Sequence, residues 1–305
     1  MRILVTGASG FVGRSLCALL LERGHDVAAL IRSEGSQPPR TRPLAGDLDD
    51  AARLTTLLAE ERPDCVVHLA AEIASQRSER KLREVNVDGT ARLLEACSAL
   101  GGDDAASAPR FVFASTVVTG DARGALLSEE RPLPVQTPYG RSKQEGERLV
   151  LESRLPAVVV RPSHVYGPGG WYVDELIAQL RRPGRFAVIG SGGNLWDVVH
   201  VDDVAEAFAL AVESAPAGST YHVVDDEPIT FYEFIALTAH ELGLGAPRRT
   251  PSALAKLVAG RNAVAAAVRS ARSSNAKIKR ELDWKPRFAT ARAGVPDAIA
   301  RIRAA

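Results

Sequence analysis

Short apolar runs alternate with segments of helical periodicity through the first half of this chain. Continuous apolar runs are typical of strands that are buried on both faces of a sheet. We expect such strands at residues 2–5, 27–31, 65–69, 111–114 and 157–160. The segments with helical spacing are 12–23, 51–60, 87–100 and 142–153. Strands and helices in this alternation predict an α/β fold: a doubly wound parallel sheet with helices on both faces.

The pattern becomes less regular from about residue 170. We predict two domains: residues 1–169 form the sheet domain, and 170–305 mainly form a smaller α/β domain that binds substrate, with 196–225 returning to the sheet domain. Helical patterns and polar loops mark the remaining segments. The predicted helices are 174–182, 231–242 and 252–272, and the predicted loops are 32–46 and 101–109.

Composition excludes several classes of partner. The 38 Lys and Arg residues nearly cancel the 37 Asp and Glu residues among 305, so no strong field attracts nucleic acid or an anionic membrane. Three separated cysteines predict reduced thiols, and the six histidines show no metal-ligand spacing, so we expect no metal. A strand pattern begins at once and no run of eighteen apolar residues follows, which predicts a cytoplasmic protein without a signal peptide or membrane span.

The stretch TGASGFVG at residues 6–13 places glycines at positions 7, 10 and 13, directly after the first strand. Glycines let a backbone approach a pyrophosphate, and the helix that follows offers free N–H groups. The spacing differs from the usual G-x-G-x-x-G fingerprint, so a tight turn that only packs strand against helix is the alternative. The strand–turn–helix context favours the phosphate cradle.

The end of the second strand bears on the choice of dinucleotide. An acidic side chain there would bind the adenosine ribose of NAD, whereas an arginine would pair with the 2′-phosphate of NADP. Ile31 stands at the expected acidic position and Arg32 follows it, although Glu34 is near. This favours NADP over NAD. Asp47 is a candidate for contact with the adenine amino group, the alternative being a helix N-cap.

Tyr139 and Lys143 are four residues apart and share one face of a predicted helix. A phenol with a pKa near 10 is a weak base at neutral pH, and a neighbouring ammonium group stabilises the phenolate. Such a pair is suited to acid/base catalysis. On its own, a tyrosine and a lysine at this spacing are more often surface decoration.

Further motifs accompany this pair in a fixed order, and together they resemble the extended short-chain dehydrogenase/reductase family. They are TGASGFVG (6–13), DL (47–48), HLAA (68–71), NVDGT (86–90), ST (115–116), YGRSK (139–143), RPSHVYGPG (161–169), VVHVDDVAEA (198–207) and AKIKRELDWKP (276–286). The resemblance spans nearly the whole chain. It implies a Rossmann-type sheet and a nicotinamide cofactor.

The resemblance also implies roles for individual residues. Tyr139 would be the acid/base, Lys143 would hold the nicotinamide ribose and lower the tyrosine pKa, and Ser115 would hydrogen-bond the reacting oxygen. Asn86 would brace the site, and Pro162 and Ser163 would approach the nicotinamide. The other residues expected to contact the cofactor are Gly7, Gly10, Phe11, Val12, Gly13, Arg32, Asp47, Leu48, Leu69, Ala70 and Ala71.

Departures from the family pattern narrow the reaction. Sugar-nucleotide dehydratases place Asp-Glu after the catalytic Ser or Thr, whereas this chain has Thr116 and Val117. Sugar-nucleotide enzymes commonly carry Asn at the position of His164 and Arg at the position of Trp196, and an arginine there binds diphosphate. We therefore take Thr116, His164 and Trp196 as candidate substrate residues. The alternative for Trp196 is packing between domains, and His164 is equally compatible with a structural role.

The stretch GSGGNLWDVVHVDD (190–203) resembles the corresponding stretch in 3β-hydroxysteroid dehydrogenase-like and ketone reductases. This resemblance favours that branch and implies interconversion of a secondary alcohol and a ketone. The expected substrate is a small, partly apolar molecule without a nucleotide. An epimerase or ketoreductase that binds a nucleotide sugar through Arg261, Arg269 or Arg272 is the alternative within the family, and a sensor of NADP without catalysis is the alternative outside enzymes. The apolar segment 252–268 is a candidate lid. By analogy with the family, helices 87–100 and 140–153 would form a homodimer.

Overall fold

A parallel sheet of seven strands forms the centre of the molecule. The computed structural model describes residues 1–102, 108–182, 186–251 and 269–304. The strands are β1 (Arg2–Thr6), β2 (Asp26–Ile31), β3 (Arg42–Ala45), β4 (Cys65–His68), β5 (Arg110–Ala114), β6 (Ala157–Pro162) and β7 (Thr220–Val223). Their order in the sheet is β7-β6-β5-β4-β1-β2-β3. The strand order reverses between β1 and β4, which is where ligands bind in sheets of this kind.

Helices and π-helical turns connect and cover these strands. The helices are α1 (Phe11–Glu22), α2 (Ala51–Glu61), α3 (Glu79–Arg83), α4 (Gly89–Gly101), α5 (Pro138–Glu152), α6 (Ala178–Leu180), α7 (Val201–Glu213), α8 (Phe231–Glu241), α9 (Ala276–Leu282) and α10 (Ala291–Ala304). The π-helical turns are Glu84–Asp88 and Tyr172–Ile177.

The two faces of the sheet have separate cores. On one face, Leu16 of α1 and Phe208 of α7 pack with strand residues such as Val5. On the other face, side chains of α2, α4 and α5 pack with Leu4 and its neighbours. The doubly wound α/β prediction is therefore confirmed, because each strand sends alternate side chains into a helical layer.

All five predicted strands and all four predicted helices of the first half are present, but the predicted loop 32–46 is wrong in part. It contains β3, which pairs in parallel with β2. Its sequence RPLA carries a polar residue and a proline, so it lacks the apolar run of a central strand. β3 lies at the sheet edge, where Pro43 is tolerated since its missing N–H breaks no ladder.

A third core is formed by residues from positions 166–299. Tyr166, Tyr172, Phe234 and Val295 are its large buried members, and α8 and α10 supply much of it. Within the described residues, four short strand pairs lie outside the central sheet. They are Leu195–Trp196 with Ile229–Thr230, Val198–His200 with His164–Tyr166, Arg248–Thr250 with Ala187–Ile189, and Arg272–Ser273 with Leu126–Leu127.

The helical predictions for the last third have mixed outcomes. The helix at 231–242 is confirmed as α8, and 174–182 overlaps the second π-helical turn and α6. The helix predicted at 252–272 is wrong at its end, because residues 269–271 are not helical and Arg272–Ser273 is a strand. The candidate lid, 252–268, lies outside the described residues. The two-domain boundary and the homodimer through α4 and α5 stay predictions.

Among the helices of residues 1–102, 108–182, 186–251 and 269–304, none has both the length and the apolar character needed to pass through a bilayer.

Candidate active site

A cleft of about 1230 Å³ runs across the carboxyl ends of β1, β2, β4, β5 and β6. It brings together most of the residues that the sequence singled out, although they are far apart along the chain. Those that line it are Gly7, Gly10, Phe11, Val12, Gly13, Arg32, Asp47, Leu48, Leu69, Ala70, Ala71, Ser115, Thr116, Tyr139, Pro162, Ser163, His164 and Trp196. Asn86 and Lys143 are not in this lining, since both side chains lie buried behind it.

The glycine turn is built so that it admits no side chain at two of its positions. A Cβ on Gly7, whose φ is +68°, would lie 2.6 Å from the backbone nitrogen of Ala70. A Cβ on Gly13 would lie 2.3 Å from the carbonyl oxygen of Gly7. A Cβ on Gly10 would meet only that same oxygen, at 3.1 Å. Gly7 and Gly13 therefore serve the packing of the turn against β4 and α1.

The start of α1 suits an anion. Gly10 is its N-cap and has no side chain to bind the first N–H groups, and the first turn carries no acidic residue. Gly10, Phe11 and Val12 all line the cleft. The free N–H groups of this turn and the positive end of the helix dipole therefore lie at the cleft. No carboxylate of the same turn binds these N–H groups. This arrangement fits a dinucleotide pyrophosphate.

Arg32 and Asp47, which the sequence predicts to contact the adenosine part of the cofactor, both line the cleft. Arg32 is exposed and forms no ion pair with any residue in the described part of the chain. Asp47 does not cap the following helix, so that alternative is wrong. The N-cap of α2 is Asp50, whose carboxylate accepts a 2.9 Å hydrogen bond from the backbone N–H of Arg53. The side chain of Asp47 is thereby left available at the cleft.

The beginning of α5 fixes the position of Tyr139. The Thr137 hydroxyl oxygen caps the helix by accepting a 2.9 Å hydrogen bond from the N–H of Gly140, and Pro138 occupies the first helical position. Tyr139 consequently stands in the first turn and lines the cleft. Burial raises the pKa of Tyr139 to about 12, so the phenol needs a positive neighbour before it can exchange protons at neutral pH.

Lys143 is one turn further along α5 and is only 3% exposed. Its Nζ lies 4.4 Å from the centre of the Phe113 ring, on β5. Burial lowers the pKa of Lys143 to about 7, and the negative charge of Glu147 opposes this effect. The ammonium group is thus held in an apolar setting, where its charge acts strongly on its neighbours.

Two serine hydroxyls lie at the cleft with unused hydrogen-bonding capacity. The Oγ atoms of Ser115 and Ser163 are buried and have no hydrogen-bond partner within the described residues. The Thr116 hydroxyl differs, because it donates to the carbonyl of Pro162 at 3.1 Å and accepts from the N–H of Val118 at 2.9 Å. The Ser115 and Ser163 hydroxyls are therefore free to bind a ligand, whereas the Thr116 hydroxyl is bonded to backbone.

Asn86 ties the cleft to α5. Its Nδ2 donates to the carbonyl of Glu72 at 3.0 Å and to the hydroxyl of Ser142 at 2.9 Å. Its Oδ1 accepts from the N–H of Glu72 at 2.8 Å. All of its hydrogen-bonding groups thus serve protein partners. This arrangement holds the loop after β4 against the helix that carries Tyr139 and Lys143.

His164 and Trp196 stack in the cleft wall, with ring centres 4.1 Å apart and planes 12° from parallel. His164 Nδ1 lies 3.0 Å from the carbonyl oxygen of Asp197, and its Nε2 lies 3.1 Å from Nη2 of Arg269. A carbonyl only accepts and a guanidinium only donates, so Nδ1 carries the proton and the ring is neutral. Burial, followed by the charge of Arg269, lowers the pKa of His164 to about 3. The ring therefore offers a flat face and no proton chemistry.

Sequence reasoning missed other lining residues. Trp171 contributes a third ring, 6.3 Å from His164 and 6.2 Å from Trp196, and its indole N–H donates to the carbonyl of Val165 at 2.7 Å. It directly follows the Gly-Pro-Gly-Gly end of a motif, which is the signal that would have found it. The further lining residues that the sequence did not single out include Glu72, Ile73, Lys81, Arg92, Asp174 and Glu175.

A cluster of possible metal ligands lies outside the cleft lining. It comprises His200, Asp202 and Asp297. Nη1 of Arg301 lies 2.6 Å from Asp202 and 3.5 Å from Asp297. Arg301 thus places a positive charge beside both carboxylates.

Comparison with known proteins shows the family. The model of the NAD dependent epimerase/dehydratase family matches residues 3–224. The chain belongs to this family. Since the match covers the sheet, the glycine turn, Tyr139 and Lys143, the chain is an NAD(P)-dependent enzyme of the extended short-chain dehydrogenase/reductase type.

Individual members of the family differ in their reactions. The 3-diazoavenalumate denitrifying reductase of a Streptomyces species is 32% identical over 97% of this chain and 99% of its own length. The 2-alkyl-3-oxoalkanoate reductase of Stenotrophomonas maltophilia is 34% identical over 81% of this chain and 77% of its own length. The crystal structure of Thermus thermophilus UDP-glucose 4-epimerase with NAD is 28% identical, covers both chains fully and superposes with a TM-score of 0.82. Oxidoreduction with a nicotinamide cofactor is the activity these findings support.

Proposed function

We propose that this enzyme interconverts a secondary alcohol and a ketone on a small molecule that carries no nucleotide. The observation that carries the proposal is the placement of the Tyr139 phenol at the cleft, one helical turn from the buried Lys143 ammonium group. When bound, the nicotinamide supplies or accepts the hydride. The protein then has to position the substrate oxygen and move one proton.

The described side chains divide these tasks. In reduction, the Tyr139 O–H donates its proton to the substrate oxygen, and in oxidation the phenolate takes it back. Ser115, whose hydroxyl is buried without a partner, donates a hydrogen bond to the same oxygen as negative charge develops. Lys143 stabilises the phenolate by its charge. Neither Thr116, bonded to backbone, nor Val117 can supply the additional acid/base pair of a dehydratase.

The wall of the cleft supports an apolar substrate. His164, Trp171 and Trp196 present aromatic rings there, and flat apolar rings bind organic groups by packing. Three arginines were considered as ligands of a nucleotide sugar. Arg269 is bonded to His164 and Arg272 belongs to a strand, and neither lines the cleft. Arg261 lies outside the described residues.

A substrate screen tests this proposal. We expect thermal stabilisation and turnover with hydrophobic or aromatic ketones, and none with UDP- or dTDP-sugars. Trp196→Ala should raise KM for the preferred ketone by about tenfold, since it removes packing worth about 1.4 kcal/mol or more. Trp196→Phe, which keeps a ring at the same position, is the matched control. Stabilisation by nucleotide sugars alone would contradict the proposal in favour of an epimerase or ketoreductase acting on them.

For the cofactor, we propose a preference for NADP over NAD. Arg32 is exposed at the end of β2, lines the cleft and is unpaired within the described residues, so its guanidinium is available to a 2′-phosphate. Arg32→Ala should weaken NADPH binding by about tenfold and leave NADH binding unchanged. Fluorescence titration of both dinucleotides measures this. Arg40→Ala, in the same polar segment but outside the cleft lining, is the control; tighter binding of NADH by the unmodified enzyme would contradict the preference.

A further inference from the structure

Arg269 contacts the aromatic wall of the cleft although it does not itself line the cleft. Its Nη2 donates to Nε2 of His164 at 3.1 Å, while Nδ1 of the same ring donates to the carbonyl oxygen of Asp197 at 3.0 Å. Hydrogen bonds at both ring nitrogens fix the plane of an imidazole as well as the position of its proton. Arg269 therefore supplies one of the two bonds that set the orientation of His164.

This bond is the polar contact that the structure gives the Arg269 guanidinium. The side chain is half-buried and forms no ion pair with any residue in the described part of the chain. A guanidinium that is partly removed from water without a carboxylate beside it loses hydration that nothing but its hydrogen bond repays. The contact with His164 is thus specific, not an incidental part of an ion-pair network.

The main chain around Arg269 is held independently of its side chain. Nδ2 of Asn194 donates to the Arg269 carbonyl at 2.8 Å, and the N–H of Leu195 donates to Oγ of Ser270 at 3.0 Å. The N–H of Ala271 donates to the Leu195 carbonyl at 3.1 Å. A substitution of the Arg269 side chain therefore removes its bond to the imidazole and leaves these bonds in place.

Trp196 depends on neighbouring rings for its orientation. Its indole Nε1 is buried and has no hydrogen-bond partner within the described residues, whereas that of Trp171 is bonded to backbone. The His164 ring lies parallel to the indole with ring centres 4.1 Å apart, and Phe231 packs against the indole at 4.6 Å with the planes 57° apart. If the His164 ring turned, the indole would lose its parallel neighbour.

We propose that Arg269 is a positioning residue for substrate specificity: through its bond to His164 it keeps the His164–Trp196 stack flat, and this stack selects ketones that carry a flat aromatic ring. The inference rests on the proposed function, since it concerns the same cleft wall, and it narrows the substrate class from apolar to aromatic. It also gives Arg269 a different role from the diphosphate ligand considered in the sequence.

Steady-state kinetics of Arg269→Met with a matched pair of substrates test this proposal. The pair is the aromatic ketone with the highest kcat/KM in the substrate screen and its analogue with the ring saturated, acetophenone and cyclohexyl methyl ketone being the simplest case. The wild type should prefer the aromatic member. In Arg269→Met, KM for the aromatic ketone should rise about tenfold, while KM for the saturated ketone, kcat and NADPH affinity change by less than about twofold.

Arg272→Met is the matched control. Arg272 is exposed on the strand that follows, and its guanidinium forms no hydrogen bond or ion pair within the described residues. Its removal takes away a positive charge of the same segment but no contact with the cleft wall, so both KM values should stay as in wild type. A wild type without preference for the aromatic ketone, or an equal rise of KM in both arginine variants, would contradict the proposal.

The double variant Arg269→Met with His164→Phe separates an effect through His164 from a general structural effect. Phe keeps a flat ring that needs no hydrogen-bond partner, so the two changes remove both polar partners together. KM for the aromatic ketone should therefore fall again, to about a third or less of its value in Arg269→Met. If it does not fall, Arg269 acts independently of the ring and the proposal is overturned.

Urea unfolding of the wild type, both single variants and the double variant distinguishes failure of this inference from failure of the proposed function. Additive losses of stability would mean that the bond between Arg269 and His164 is absent. Non-additive losses with an unchanged KM for the aromatic ketone would mean that the bond serves folding alone. In both cases the specificity inference is wrong while ketone turnover stands. Turnover of nucleotide sugars and of no ketone would instead refute the proposed function itself.

Discussion

Tyr139→Phe should lower turnover by about a hundred- to ten-thousand-fold while dinucleotide affinity stays within about twofold. The Tyr139 phenol lies at the cleft and can donate a proton to a substrate oxygen in reduction. Phe keeps the ring in its half-buried place at the start of α5 but removes that proton. Steady-state kinetics with the preferred ketone and fluorescence titration of NADPH measure the two effects separately.

Tyr232→Phe is the matched control for this experiment. Tyr232 is also half-buried, but its ring lies against the guanidinium of Arg249, with 4.0 Å from the guanidinium carbon to the ring centre, and it does not line the cleft. Removal of its hydroxyl should leave turnover unchanged. A Tyr139→Phe enzyme with wild-type turnover would refute the acid/base role.

The fold was predictable because its central strands are recognisable in the sequence as apolar runs. A strand such as β4 is buried on both faces, so its residues CVVH form a nearly continuous apolar run. The edge strands gave weaker signals. β3 has the sequence RPLA and pairs on one side only. An edge strand of this kind tolerates polar residues and a proline, so its sequence lacks the apolar run of a central strand. Whether a strand lies at the edge depends on the topology of the whole sheet, so β3 could not be recognised from its own residues.

The cleft was predictable where chemistry fixes residue types at short spacing. Tyr139 and Lys143 are one turn apart, and the glycines lie within a single turn between strand and helix. The buried pair Glu147 and Arg161 was not predictable in this way. Its partners come from α5 and β6, and their meeting depends on how the helix packs on the sheet. In the sequence alone, a glutamate and an arginine are expected to be ordinary surface residues.

His164 shows the same limit in another form. Sequence comparison made it a candidate substrate residue, which leaves its protonation open. The structure bonds both ring nitrogens, one to a backbone carbonyl and the other to Arg269, 105 positions away in sequence. These long-range contacts make it a neutral aromatic surface. A residue type alone therefore gave the location of this side chain in the cleft wall but not its chemistry.

Gly13→Ala should destabilise the protein by about 1–3 kcal/mol and weaken dinucleotide binding at least about tenfold. The added methyl group would lie 2.3 Å from the Gly7 carbonyl oxygen and 2.6 Å from that of Ala8, both backbone atoms that no side-chain rotation can move aside. The first turn of α1 must then shift from the loop, which misplaces its free N–H groups. Thermal unfolding and NADPH titration measure the two losses. Gly245→Ala, where a Cβ meets nothing within 4 Å, should change neither.

Gly10→Ala decides between the two functions first considered for this glycine turn. Its Cβ would meet only the Gly7 oxygen, at 3.1 Å, so the cost to folding should stay below about 1 kcal/mol. Gly10 nevertheless lines the cleft at the N-cap of α1, where the backbone must approach the pyrophosphate closely. A cradle predicts NADPH binding weakened about tenfold with nearly unchanged unfolding. Wild-type binding by Gly10→Ala, together with the loss of stability in Gly13→Ala, would mean that the glycines serve only the packing of strand against helix.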